Sequence, residues 1–109
     1  MANSKIEISV TTDENKVPKS IEWTADDSDI HNRSAKALAL ALWDEKDGQA
    51  MHMDLWTKDM SVEEMRHFIC QTMMTLANTL EKATNDQNHA NAMRKFTEEL
   101  ANRLGVLKA

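Results

Sequence analysis

A two-layer α+β domain is what these 109 residues predict: a four-stranded antiparallel sheet followed by two helices, in the order β-β-β-β-α-α. Three observations carry the prediction. The first half alternates apolar and polar residues with period two, and the second half repeats apolar residues every three or four positions. Between them stands a helix-capping sequence, Ser61-Val62-Glu63-Glu64. The length suits a single domain over residues 1–109, and no linker or fixed-period repeat divides it.

Residues 5–11 alternate without exception, with Ile6, Ile8 and Val10 on one side and Lys5, Glu7, Ser9 and Thr11 on the other. Ser20–Thr24 repeats the pattern after the polar turn Asp13-Glu14-Asn15-Lys16, which predicts a hairpin. Pro18 cannot donate to a ladder, so it belongs at an edge or outside the paired strand. Residues 26–34 read as a loop with room for one helical turn. Ala35–Asp44 holds two readings. Its Ala and Leu content favours a helix, but Leu38, Leu40 and Leu42 alternate with Ala37, Ala39, Ala41 and Trp43. A helix would throw Leu40 away from its neighbours. A hairpin with 45–48 as loop instead pairs Leu42 with Met51, Leu40 with Met53 and Leu38 with Leu55, all on one face. The strand reading is adopted.

In the second half Val62, Met65, Ile69, Met73, Leu76, Leu80 and Ala83 form a stripe at helical spacing, with Phe68 beside them. Thr84-Asn85-Asp86 ends this helix. The next carries Ala90, Met93, Phe96, Leu100 and Leu104 and stops at Gly105, well suited to a left-handed cap. Both helices are expected to pack on the sheet. Cys70, Met74 and Ala77 lie opposite the first stripe and are expected to face the second helix.

Charge and composition exclude several functions. Thirteen Lys and Arg against eighteen Asp and Glu leave −5, the wrong sign for a general nucleic-acid binder. The longest apolar run, Ala37–Trp43, is too short to span a bilayer, so no membrane insertion is expected. No apolar leader follows Met1, and Cys70 has no second cysteine to pair with. A cytoplasmic location is the expectation.

Candidate chemistry is thin. His67 and Cys70 can approach across one helical turn as a nucleophile–base pair or half a metal site. No further ligand motif joins them, and a surface histidine beside a half-buried thiol is the plainer reading. Met51-His52-Met53 holds soft copper ligands, but alternation parts the methionines from the imidazole. Asp26-Asp27-Ser28-Asp29 lacks the spacing of a calcium loop and reads as an exposed acidic loop. Neither enzyme, metal nor cofactor emerges. A surface does. Ala39, Ala41 and Trp43 of one strand share a face with His52 and Trp56 of the other, opposite the leucines and methionines. Either a helix or loop of the same chain covers this face, or a subunit or partner does.

Taken together, Ile6-Glu7-Ile8-Ser9-Val10, Asp13–Pro18, Ile21-Glu22-Trp23, Asp54-Leu55-Trp56-Thr57-Lys58-Asp59-Met60 and Val62-Glu63-Glu64-Met65 resemble the gliding-motility protein GldC family of the Bacteroidetes. The resemblance extends to Gly105-Val106-Leu107-Lys108, nearly the whole chain. It implies a small accessory protein of the surface-motility machinery, with no catalytic residue, substrate or cofactor to carry over. The expected partners are proteins of that machinery, such as GldB, or further copies of this chain. A second expectation comes from layout alone: the β-β-β-β-α-α order is similar to that of the export chaperone SecB, which would make the chain a client-binding protein.

Overall fold

The computed structural model describes residues 2–106. Five strands precede two helices: β1 (Ile6–Thr12), β2 (Pro18–Ala25), β3 (Arg33–Ala35), β4 (Ala37–Asp44), β5 (Gln49–Trp56), α1 (Val62–Thr84) and α2 (Gln87–Leu104). The chain forms two units, Met1–Met60 with the strands and Ser61–Ala109 with the helices.

The strands do not make the single four-stranded sheet that alternation predicts. They make a three-stranded sheet, β1-β2-β3, and a separate two-stranded ribbon, β4-β5. The extra strand takes Arg33 and Ser34 from the segment expected to be loop and Ala35 from the start of the next one. Asn32, with φ of 51°, reverses the chain, and its N–H donates to Thr24 Oγ1 at 2.9 Å. Ala25 N–H reaches the Ile30 carbonyl, closing the excursion. Residues 33–35 are thereby laid against β2, Ile21 opposite Ala35 and Trp23 opposite Arg33. At Lys36 the extended backbone bends and changes partners, its carbonyl accepting from Thr57 N–H at 2.8 Å. One stretch of chain thus serves two sheets, and a three-residue strand is too short to show a period.

Pairing within each hairpin matches the alternation. β1 and β2 join Ile8 to Trp23 and Val10 to Ile21, with an irregularity at Thr11/Thr12, and Pro18 opens β2 opposite Thr12. Their turn is organised by Asp13. Its carboxylate accepts from the N–H groups of Asn15 at 2.8 Å and Val17 at 3.0 Å, while Lys16 takes a φ of 65°. Lys58 Nζ sits 2.7 Å from the other carboxylate oxygen, tying this turn to the segment after β5. That hydrogen bond, then those from Val17 and Asn15, lower the Asp13 pKa to about 2. Ile21 is the buried apolar residue of the strand unit, at 2% exposure.

The helices follow their caps. Ser61 Oγ accepts from Glu64 N–H, and Glu64 Oε1 accepts from Ser61 N–H, both at 3.0 Å. Asn85 ends α1 in the left-handed region, and Asp86 starts α2 by accepting from His89 N–H. Gly105, with φ of 76°, ends α2, and Val106 N–H returns to the Ala101 carbonyl. The face that α1 turns to its partner is the one carrying Cys70 and Ala77, as expected. α2 answers with Ala90, Thr97 and Ala101, all buried. Near the connection Arg94 holds Asn78, Glu81 and Asn91 in one set of hydrogen bonds. Of the large stripe residues, Leu100 and Leu104 of α2 pack half-buried against Cys70, Ala101 and Val106, whereas Val62, Ile69 and Leu76 of α1 and Phe96 of α2 remain exposed.

Candidate interaction surface

The β4–β5 ribbon carries the residues that the sequence singles out. Its register is the expected one, with Leu38 opposite Leu55, Leu40 opposite Met53 and Leu42 opposite Met51. These six share one face because side chains alternate along a strand. The other face comprises Ala37 opposite Trp56, Ala39 opposite Asp54, Ala41 opposite His52, and Trp43 opposite Ala50. The loop is held by Asp44, whose carboxylate accepts from Asp47 N–H at 2.7 Å and whose carbonyl accepts from Gly48 N–H at 3.0 Å. Gly48 has φ of 63°, a conformation that a side chain would strain.

The alanine face is shaped like a saddle. Trp43 and Trp56 stand at opposite ends, six residues apart along the strands, or about 20 Å. Ala39 and Ala41 are low points between them, and His52 and Asp54 lie opposite these alanines on β5. Trp43 is 73% exposed and Trp56 55%. Ala39, Ala41 and His52 are exposed as well, so the structure assembles all five candidate residues on one open face. Leu40, Leu42, Met51 and Met53 on the reverse are also exposed. A continuous leucine and methionine face reads as interior from the sequence, yet alternation shows only which residues share a face and not what lies against it.

Other candidate chemistry is not assembled. Cys70 is buried while His67 is exposed. His52 lies on the face opposite Met51 and Met53. In the acidic loop Asp27 accepts a hydrogen bond from Ser4 Oγ, and the Ser28 N–H and hydroxyl both turn to the Ala25 carbonyl. Among the described residues no three His, Cys, Asp or Glu side chains converge as a metal-holding group. No helix among them is long and apolar enough to cross a membrane. A feature that the sequence did not indicate is an open groove of about 690 Å³ along the helix pair, with Cys70, Met74, Ala101 and Val106 among its walls and Lys95 and Glu98 at its polar parts.

Against known proteins, residues 18–106 match the family model described as Gliding motility-associated protein GldC-like. Comparison with curated proteins and with solved structures gives no match. The matched span runs from the first residue of β2 to the residue after the α2 cap, and so includes the whole ribbon. Leu107 and Lys108, part of the resemblance noted above, lie outside the described residues.

Proposed function

Because the chain belongs to the GldC-like family of gliding motility-associated proteins, we propose that it acts as a non-enzymatic accessory protein in the cytoplasm, binding protein components of the gliding machinery through the tryptophan face of the ribbon. The observation that carries this reading is the pair of exposed indoles, Trp43 and Trp56, flanking a floor of alanines. Tryptophan offers the largest apolar area of any side chain together with an N–H donor, which is why it anchors protein interfaces. Small residues between two such anchors let a partner backbone come close. His52 and Asp54 supply polar contacts that select one partner and register. GldB is the first component to test.

The test is affinity capture from gliding cells that carry the protein at its native level, compared with Trp43→Ala and Trp56→Ala. Loss of a specific partner by at least tenfold, with thermal unfolding unchanged, supports the reading. Truncating a buried aromatic anchor commonly costs about 2 kcal/mol or more of binding. Early melting of the Trp56→Ala chain would make Trp56 a core residue and end the interface proposal. A second reading, a chaperone that holds unfolded clients, draws on Met51, Met53 and Leu42 exposed on the reverse face, where flexible thioethers suit varied ligands. Recovery of many unrelated proteins, insensitive to either tryptophan, would favour it.

A further inference from the structure

We infer that β4 is a self-pairing edge, and that two copies of this chain join through it into a four-stranded sheet, β5-β4-β4′-β5′, around a two-fold axis at Leu40. The inference goes beyond the partner-binding reading and stands on separate observations. Among the described residues β4 pairs with β5 and with no third strand. A two-stranded ribbon is marginal in water, and further strands or packing are needed to make it stable. The direction of the open groups follows from one hydrogen bond. Lys36 accepts from Thr57 on the β5 side, so even-numbered residues of β4 direct their main-chain groups toward β5. Ala37, Ala39, Ala41 and Trp43 direct theirs to the open edge.

That edge has none of the usual devices against strand addition. From Ala37 to Trp43 it contains no charge, proline or bulge. The corresponding edge of β5 carries His52 and Asp54. Pairing two β4 strands antiparallel about an axis normal to the sheet keeps the leucine faces on one side. It also sets the open main-chain groups of Ala39 and Ala41 against each other.

Three complementarities select the register and favour a second copy over an unrelated strand. With Leu40 opposite its own counterpart, Leu38 meets Leu42, extending the leucine face without a break. Ala37 meets Trp43, the smallest side chain of the row against the largest, so the indole has space. The ends are opposite in charge: Arg33 and Lys36 lead into β4, whereas its last residue, Asp44, and the Glu45-Lys46-Asp47 that follow are net acidic. Antiparallel pairing brings the basic end of one strand to the acidic end of the other, with Lys36 level with Asp44. A shift of two residues keeps the faces but loses that match.

Sedimentation of the full chain over a dilution series should show a monomer–dimer equilibrium. Ala39→Pro deletes an edge N–H that the ribbon itself does not use, so it should leave the circular dichroism intact and abolish the dimer. Ala50→Pro, the equivalent change on the β5 edge, should leave the dimer in place. A cross-link reads the register directly. In a Cys70→Ala background, Leu40→Cys faces itself at about 4.5 Å between Cα atoms, within disulfide reach. Leu42→Cys stands about 13 Å from its own counterpart and should not bridge. A monomeric mass up to the millimolar range would overturn the inference, as would a dimer that survives Ala39→Pro or bridges at Leu42 and not at Leu40. Should Ala39→Pro fail to fold, the two cysteine variants decide.

Discussion

The strand unit and the helical unit hide different kinds of residue. Among the described residues the helix pair buries Cys70, Ala77, Ala90, Ala101, Val106 and Thr97, small or medium side chains that let two backbones approach along most of their length. Several of its large residues, Ile69, Leu76 and Phe96 among them, are left outside. The strand unit buries one large aliphatic, Ile21, and Thr57, while no residue of the ribbon is fully buried. The contrast teaches that amphipathic periodicity and burial are separate properties. Two helices can close on each other through small residues, with Leu100 and Leu104 packed beside them, and still leave exposed much of the apolar stripe of α1. A ribbon has two faces and two edges and encloses nothing by itself.

Opposite errors should therefore break the two units, and the largest effect is expected in the strands. Ile21→Ala empties the position where β2 lies between β1 and β3, and should cost roughly 2–5 kcal/mol by denaturant unfolding. Ala77→Leu makes the reverse error in the helices. It adds volume where exposure is 0%, and overpacking should cost roughly 1–3 kcal/mol on the same assay. Were Ala77→Leu neutral, the close alanine contact of α1 and α2 would be wrong.

Smaller changes sharpen the same contrast. Ser61→Ala removes the reciprocal cap of α1 and should lower stability by about 1 kcal/mol, visible as a shifted denaturation midpoint. The corresponding polar fastening in the strand unit is Asp13 with Lys58, and it should be read by pH. The folded carboxyl titrates at about 2, below its ordinary 3.8, because Lys58 and the turn N–H groups favour the charged form. Its contribution is therefore complete above the ordinary carboxylate range and fades as pH falls from about 4 through about 2. Asp13→Asn should unfold more easily than the native chain at neutral pH and converge with it at the acid end. A gap that persists in acid would assign the loss to turn geometry and not to charge.

Local order determined most of what was legible in the sequence. Strict alternation placed both hairpins and the β4–β5 register, because a one-residue slip would move every leucine to the other face. The capping box and Gly105 placed the helix ends, since a helix terminus must satisfy its backbone groups within a few residues. The five candidate surface residues share a face for the same reason of parity. What tertiary structure alone decided depends on contacts between distant residues. Nothing local marks Arg33 and Ser34 as strand, because they extend only when the Asn32 reversal lays them against β2. The division into two sheets turns on the bend at Lys36, whose carbonyl is claimed by Thr57 from far along the chain. Which apolar stripe stays open is likewise invisible in the pattern: periodicity is a property of one element, and burial belongs to two.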